Sequence, residues 1–277
     1  MVNDEIEQVQ QPLLMEIGGR HVTLNVIVMS PPQPKRAIFL VHDLAGRADD
    51  FAPLAPHLAA AGYRVVMWDM PGRGRSAWLD PEDYTTRTYA TIFLSLMKEH
   101  GLDENTVLGQ GWGAMLAVLF ESLLKTSVKH ICLIDLPETW SFATDRQAQQ
   151  WAALNLLHAD HVEQFAKLVE DCIPSDVPER HILRDIAVSR ARLRGGKVSL
   201  GIDHAIFEML KSAEDTSYAP GSGLKRCRAR VSLLQSEGFP LLTGSTVSAI
   251  RLAKGSSASW STATLLWTTL GAVVSRP

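Results

Sequence analysis

The sequence has little that would support three common classes of protein. It contains only three cysteines, Cys132, Cys172 and Cys227, which are isolated and odd in number. They lack the paired spacing of a zinc or redox site, so we expect small buried side chains in a reducing compartment rather than a disulfide scaffold. No apolar run reaches the roughly 18 residues that a membrane-spanning helix needs. The net charge is −3, from 27 basic and 30 acidic residues, and gives no reason to expect a nucleic-acid partner.

The two ends of the chain also lack targeting signals. The first residues, MVNDEIEQVQQ, are acidic and polar, unlike the basic and then apolar start of a secretory signal. Residues 255–275 carry no charge but are rich in serine and threonine, so we do not interpret them as a membrane span. With 46% hydrophobic and 21% charged residues, the composition is typical of a soluble globular protein. We therefore predict a cytoplasmic protein with one large domain, or a core domain that carries an insertion.

Strand and helix patterns alternate along the first half of the chain. Apolar or β-branched runs predict strands at residues 21–29, 37–42, 63–69, 105–109 and 129–135. Helical patterns lie between them at residues 51–61, 84–100 and 112–125. This repeated β-α-β order with short connections predicts an α/β fold with a mostly parallel, doubly wound sheet. Beyond residue 223, the patterns predict a strand at 230–235, a helix near 246–254 and a strand through 259–267.

The alternation breaks between residues 137 and 223, where the pattern is helical. Four helices and no strand are predicted there, at residues 145–157, 161–172, 180–193 and 203–213. The stretch begins where a sheet strand ends, and α/β sheets bind ligands at the carboxyl ends of their strands. We therefore divide the chain into a core, residues 1–136 and 224–277, and a helical cap inserted after the sixth strand, residues 137–223.

One segment, residues 107–117 (VLGQGWGAMLA), carries most of the functional information. It is a short apolar strand, then Gly109, Gly111 and Gly113 at alternate positions, then an apolar helix. This layout matches the nucleophile elbow, G-x-nucleophile-x-G, in which the middle side chain attacks the substrate. The middle residue here is Gly111, which has no side chain.

Two further segments make the chain resemble the α/β-hydrolase superfamily over roughly residues 20–240. VHDL, residues 41–44, lies where that family has a strand-end His-Gly oxyanion loop, and DMPGRGRS, residues 69–76, resembles its D-x-P-G-x-G-x-S turn. QGWGAM, residues 110–115, is most similar to epoxide hydrolases and haloalkane dehalogenases, or to esterases and lactonases. The elbow also approximates G-x-G-x-x-G, but it lies on the fifth strand and lacks an acidic residue about 20 positions further on. We therefore expect no dinucleotide and no other cofactor.

The resemblance implies a catalytic apparatus that this chain lacks in part. Family members use a nucleophile at position 111 and a histidine after the last strand, whereas the last histidine here is His204. Asp43 replaces the usual glycine, and a carboxylate there would oppose stabilisation of an oxyanion. Glu237 lies near the family's acid position, and Asp135 lies at the alternative acid position that some dehalogenases use. A conventional hydrolase is therefore not expected.

Three hypotheses for function remain open. The first is a pseudoenzyme that binds a small, mostly apolar ligand beneath the cap through His42, Gln110, Gly111 and Trp112. The second is a lyase, isomerase or cyclase that transfers protons with Asp43, Asp135, Glu237 or His42. The third is a degenerate esterase or epoxide hydrolase whose reading frame is shifted beyond Lys254.

Purely structural roles for the same residues also remain open. Asp43 can face solvent, Asp135 can bond backbone amides, and Trp112 can pack against the cap rather than line a pocket. His158 and His161 share a helix face with no further ligands in view, so no metal site is expected. The oligomeric state is not readable from the sequence.

Overall fold

The computed structural model describes residues 6–124, 128–173, 180–212, 219, 223–235 and 248–251. Within these residues the strands are β1 (Glu7–Gln10), β2 (Leu13–Ile17), β3 (Arg20–Leu24), β4 (Val26–Ser30), β5 (Arg36–Val41), β6 (Tyr63–Trp68), β7 (Glu104–Gln110), β8 (Val128–Ile134), β9 (Arg192–Arg194), β10 (Lys197–Ser199), β11 (Arg230–Gln235) and β12 (Ser248–Arg251). The α-helices are α1 (Ala55–Ala60), α2 (Thr86–His100), α3 (Trp112–Leu124), α4 (Arg146–Leu154), α5 (Val162–Cys172), α6 (Arg180–Arg190) and α7 (His204–Ser212). No helix among the described residues is long and apolar enough to cross a membrane.

Eight strands form one sheet in the order β1-β4-β6-β5-β7-β8-β11-β12. β1, β4 and β6 pair antiparallel, and the strands from β6 through β5, β7, β8 and β11 to β12 pair in parallel. The chain moves outward from β5 to β6 and then returns to place β7 on the other side of β5. Ligands bind α/β sheets at such a reversal of strand order. The predicted α/β fold with a mostly parallel, doubly wound sheet is confirmed.

The central strand β5 shows why these apolar runs form a buried sheet. Ala37, Phe39 and Val41 face one hydrophobic core, and Ile38 and Leu40 face the other. A strand covered on both faces reads as a continuous apolar run because alternate side chains point to opposite sides.

Helices α2 and α3 cover the first of these cores. Phe93 stacks on Phe120 at 4.3 Å between ring centroids and meets Phe39 of β5 edge-on at 5.4 Å. This aromatic contact packs α3, whose first residue follows the turn at Gly111, against the sheet. The helix that leaves the elbow is therefore held by buried apolar packing.

Several predicted elements differ from the structure near the N-terminus. The strand predicted at residues 21–29 is two strands, β3 and β4, separated at Asn25. The Asn25 amide bonds Ser76 Oγ at 2.9 Å and its side chain bonds Asp69, so it leaves the strand ladder. The helix predicted at 51–61 is a 3₁₀ turn, Ala48–Phe51, followed by the short α1. Pro53 and Pro56 interrupt this region, and proline supplies no backbone donor to a continuing helix.

Two predictions in the second half of the chain are wrong. The helix predicted near 246–254 contains the strand β12, which pairs in parallel with β11; three residues of the predicted range, Thr246, Val247 and Ile250, are β-branched and suit a strand. The prediction of no strand in residues 137–223 fails because β9 and β10 form an antiparallel pair. Gly195 and Gly196 connect them with φ of +55° and +78°, the conformation that a two-residue hairpin turn requires. The strand predicted at 259–267 lies outside the described residues.

Candidate functional site

The turn between β7 and α3 has the geometry of a sharp strand-to-helix elbow. Gly111 lies at its apex with φ of +52°, a region that side-chain-bearing residues occupy only with strain. Its N–H donates to the Ile134 carbonyl at 2.9 Å, and its own carbonyl accepts from Ala114 N–H at 3.0 Å. The elbow is therefore tied to the end of β8 on one side and to the first turn of α3 on the other.

The two flanking glycines allow the backbone segments to approach closely. A Cβ on Gly109 would lie 2.7 Å from Ala114 Cα, and a Cβ on Gly113 would lie 2.7 Å from the Val41 carbonyl carbon. Both are backbone atoms with no freedom to move away. The G-x-G-x-G spacing is thus required by the packing of β5, β7 and α3 against one another.

The Asp43 carboxylate lies at the centre of the site. One oxygen, Oδ1, accepts hydrogen bonds from Leu44 N–H at 2.7 Å and from Trp112 N–H at 2.8 Å. In the α/β-hydrolase fold, the oxyanion hole consists of the amide after the nucleophile and an amide from the loop after the matching strand. Trp112 follows Gly111, and Leu44 lies in the loop after β5. Asp43 therefore places its own oxygen between the two amides that correspond to an oxyanion hole.

Asp43 and Gly111 share one space. A Cβ on Gly111 would lie 2.7 Å from the Asp43 carboxyl carbon and nearer still to Oδ1, which is closer than real side chains approach. A residue with a side chain at position 111 and a carboxylate held on these two amides therefore exclude each other.

Burial raises the pKa of the Asp43 carboxyl above its ordinary value, and the hydrogen bonds from the Trp112 and Leu44 amides oppose this rise. The negative charge of Asp145 adds to the rise, and the positive charge of Arg190 opposes it. The desolvation effect is the largest of these. The carboxyl therefore holds a proton more readily than an exposed aspartate does.

His42 lies behind the site and not on the cavity wall. Its side chain is fully buried, Nε2 accepts from Met70 N–H at 2.9 Å, and Nδ1 bonds the Asp43 carbonyl oxygen at 2.7 Å. Because Nε2 accepts, the proton is on Nδ1. Burial lowers the pKa of His42 to about 3, and the positive charge of Arg73 adds to the lowering. The neutral ring positions the Asp43 backbone and has no nitrogen left to bind a ligand.

Asp135 directly follows β8 and has φ of +52°. Its N–H donates to the Leu234 carbonyl of β11 at 2.9 Å. It is the one described residue other than glycine with positive φ. Such strain persists where neighbouring structure enforces it, and it is frequent at functional sites. Asp135 lines the same cavity as Asp43.

A cavity of about 400 Å³ lies over the ends of β5, β7 and β8. Its described walls contain three carboxyl groups and three indoles and no basic side chain; the lining residues are Asp43, Leu44, Gln110, Gly111, Trp112, Asp135, Pro137, Thr139, Trp140, Thr144, Asp145, Gln147, Ala148 and Trp151. The structure thus brings Asp43, Gln110, Gly111, Trp112 and Asp135 of the sequence-predicted site together. Glu237 lies outside the described residues.

Sequence reasoning missed the contribution of α4 and the loop before it. Trp140 packs against Trp112 with ring centroids 4.9 Å apart and donates its Nε1–H to Asp145. Asp145 also caps α4 by accepting from Ala148 N–H. An aspartate at a helix start, flanked by tryptophans, was the available signal.

The turn at residues 69–76 is held together by its own hydrogen bonds. Asp69 accepts hydrogen bonds from the amides of Ala48 and Arg75 and from the Asn25 side chain. Ser76 donates its hydroxyl to the Asp69 carbonyl. Asp69 is 3% exposed and both of its carboxylate oxygens accept hydrogen bonds from the protein, so this network fixes the loop beside the site.

No group of three potential metal ligands occurs in the described part of the chain. Residues 157–161 have the sequence LHADH. Asp160 of this segment forms an ion pair with Lys197 at 2.6 Å on the surface, so its carboxylate is already paired with a basic side chain.

The parallel sheet, the glycine-flanked elbow after β7 and the two amides beside it define the alpha/beta hydrolase fold. Residues 36–170 match the family profile described as alpha/beta hydrolase fold, and the sheet order of the structure agrees with that fold.

Curated relatives match over part of their length. A proline iminopeptidase of Lacticaseibacillus rhamnosus is 32% identical over 94 residues, which cover 34% of this chain and 32% of the relative. Lipase 3 of a Moraxella species is 30% identical over 105 residues, covering 38% and 33%. The chain thus spans about a third of the length of the curated relatives that it matches.

Solved structures match over nearly the whole chain. The thioesterase domain from the curacin biosynthetic pathway superposes with a TM-score of 0.70 at 19% identity and covers 95% of this chain and 99% of its own. A putative hydrolase from Rickettsia typhi superposes with a TM-score of 0.71 at 17% identity, covering 98% and 99%. Identities this low establish the fold and nothing beyond it.

Proposed function

We propose that this alpha/beta-hydrolase-fold protein is not a conventional nucleophilic hydrolase, and that it binds a small ligand with an apolar body in the cavity beneath a cap formed by residues 137–223. The observation that carries the proposal is the position of Asp43 Oδ1 on the amides of Leu44 and Trp112. Relatives that act as peptidase or lipase provide the comparison from which this site departs.

Conventional hydrolysis needs three groups that this site does not supply. The nucleophile must lie at the elbow, where Gly111 has no side chain. An oxyanion needs free amide donors, and both of the corresponding amides already bond Asp43. The general base normally follows the last strand, and no histidine follows His204 in the sequence. Each shortfall alone would remove most of the rate.

The same geometry suits binding. A cavity of about 400 Å³ falls within the usual range for small-molecule sites, which combine apolar walls with a few polar groups. The indoles of Trp112, Trp140 and Trp151 supply the walls, and Gln110 and Thr144 add neutral polar groups. Helix α4 closes one side, so a ligand there contacts both the sheet and the proposed cap.

A second function is favoured by one observation. Burial raises the pKa of Asp43, and Asp43 lines the cavity together with Asp135. A carboxyl with a raised pKa is a suitable general acid or base near neutral pH. Proton transfer to or from carbon, as in a lyase or isomerase, would need neither a nucleophile nor an oxyanion hole.

Hydrolysis assays test the first proposal. The purified protein should hydrolyse 4-nitrophenyl acetate and styrene oxide no faster than buffer alone, and Gly111→Ser should not change this. Saturable turnover by the unaltered protein would contradict the proposal. So would turnover restored by Gly111→Ser alone, because the serine would then function beside Asp43 and without a histidine after the last strand.

Deuterium exchange distinguishes the second function. Acetophenone in D₂O should exchange its methyl protons faster in the presence of an enzyme that uses Asp43 as a base, and Asp43→Asn should abolish the effect. Asp160→Asn is the matched control, since it removes an exposed carboxylate that does not line the cavity. Exchange at the buffer rate with all three proteins favours binding alone.

A further inference from the structure

The cavity has a one-sided charge distribution. Of its described lining residues, three carry carboxyl groups, Asp43, Asp135 and Asp145, and none is lysine, arginine or histidine. Asp145 is committed to Trp140 and to the α4 amide of Ala148. Asp43 has one oxygen on two amides, and its Oδ2 accepts no hydrogen bond within the described part of the chain. The cavity therefore presents acceptors and negative charge to a ligand.

Arg190, the cation that acts on Asp43, forms its ion pair with another carboxylate. Arg190 is close enough to influence the Asp43 carboxyl, but its Nη2 donates to Asp50 at 2.7 Å in an ion pair. Arg190 therefore acts on Asp43 from outside the cavity lining, and no basic side chain is among the described lining residues.

The aromatic walls point to the same ligand chemistry. Trp112 and Trp140 both line the cavity, and their rings meet at an interplanar angle of 60°. The third indole already holds a cation on one face, since the Arg190 guanidinium lies 5.1 Å from the Trp151 ring centroid. Indole faces attract cations more strongly than other aromatic rings do. Carboxylates and indoles together are a setting for an ammonium group attached to an apolar body.

We infer that the ligand of this cavity is an organic cation, a protonated amine or quaternary ammonium carried on an aromatic or similarly flat apolar body. The charged group would be stabilised by Asp43 and Asp135, and the apolar body by Trp112, Trp140 and Trp151. The inference rests on the proposed binding function and specifies its ligand class. An anionic ligand is disfavoured, because it would meet like charge in a partly dehydrated site.

Three ligands of nearly equal size test the inference by calorimetry at pH 7: 2-phenylethylamine, which is cationic, 2-phenylethanol, which is neutral, and phenylacetate, which is anionic. The amine should bind about tenfold more tightly than the alcohol, a difference typical of a cation partly removed from water beside indoles and carboxylates. Phenylacetate should bind most weakly. Binding of all three with equal affinity, or tightest binding of phenylacetate, would overturn the inferred ligand class and leave the proposed binding function standing. Absence of binding by any of the three at millimolar concentration would overturn both.

A charge-neutral variant tests the role of Asp43. Asp43→Asn keeps the size of the side chain and an oxygen for the two amides but removes the charge, so the amine should lose about tenfold in affinity relative to any change for 2-phenylethanol. Asp160→Asn, which removes the same charge on the surface, should leave the amine affinity unchanged. If the amine binds Asp43→Asn and Asp135→Asn as tightly as the unaltered protein, the inference is wrong.

Discussion

Asp43 Oδ1 lies where a side chain on Gly111 would begin: a Cβ at position 111 would be 2.7 Å from the Asp43 carboxyl carbon. The same oxygen accepts from the amides of Leu44 and Trp112. The absence of a side chain at position 111 and the presence of Asp43 in the oxyanion loop are therefore linked, because both groups would need the same space. Restoring a side chain at position 111 displaces Asp43, and removing Asp43 alone leaves the elbow without a nucleophile.

Asp43 should make stability depend on pH in a particular direction. Burial raises the pKa of Asp43 above its ordinary value of 3.8, so folding favours the protonated form and stability is lost as the pH rises through the folded pKa. Asp43→Asn, which cannot ionise, should therefore melt at a higher temperature than the unaltered protein at pH 7. The difference should vanish near pH 4. Thermal unfolding followed by circular dichroism between pH 4 and 8 measures it.

Asp160→Asn is a control of opposite sign for that measurement. The hydrogen bond from Lys197 lowers the pKa of Asp160, so its contribution is present at neutral pH and is lost on acidification. This exposed variant should melt slightly below the unaltered protein at pH 7. A melting temperature for Asp43→Asn that stays below that of the unaltered protein throughout would show that the carboxylate is the favoured form.

His42 should remain neutral through the physiological range. Its pKa is lowered to about 3 by burial and by Arg73, so its stabilising contribution is complete above its ordinary value of 6.5 and falls as the pH drops toward 3. The free energy of unfolding falls by about 1.4 kcal/mol per pH unit when one additional proton is bound on unfolding. Nuclear magnetic resonance of the ring should show the Nδ1–H tautomer with no titration from pH 8 to 5. A midpoint near 6.5 would contradict the assigned hydrogen bonds.

The ion pair of Asp50 with Arg190 should stabilise the contact between the loop after β5 and helix α6. The two side chains are 18% and 14% exposed, so Asp50→Asn would leave a largely buried guanidinium without its counter-charge. We expect a loss of about 1–3 kcal/mol in the free energy of unfolding. Urea denaturation at pH 7 provides the measurement.

The surface pair of Arg20 and Asp80 is the matched control. Its bond is equally short at 2.6 Å, but the side chains are 55% and 45% exposed, and such pairs contribute under about 1 kcal/mol. Asp80→Asn should therefore change the free energy of unfolding much less than Asp50→Asn does. Equal effects of the two variants would show that Arg190 is compensated by other groups.

Most of the sheet could be predicted because strands buried on both faces leave a continuous apolar run, as in β5 and β6. The hairpin of β9 and β10 could not, because its strands are three residues long and carry Arg192, Arg194 and Lys197. Arg192 falls at the end of the helix predicted at residues 180–193, where a basic side chain is also favourable. Only the paired backbone and the glycine turn distinguish the two structures.

Sequence reasoning identified individual residues of the site but not the contacts between them. Gly111 and Asp43 stand out against the family pattern, but their link depends on two amide directions that no spacing encodes. The wall formed by Trp140 and Trp151 depends on which way α4 faces the sheet. Helix periodicity shows which residues share a face and does not show what that face meets.

The shared space of Asp43 and Gly111 is tested most directly by a double-mutant cycle in the free energy of unfolding, with Asp43→Ala, Gly111→Ala and the double variant. In the unaltered background, Gly111→Ala should cost about 1–3 kcal/mol for positive φ and a further 1–3 kcal/mol, approximately, for displacing Asp43 from its two amides. In the Asp43→Ala background, only the first of these costs should remain, giving a coupling energy of at least about 1 kcal/mol. Additive effects within about 0.5 kcal/mol would contradict the arrangement, because they would show that the carboxylate and a side chain at position 111 can coexist.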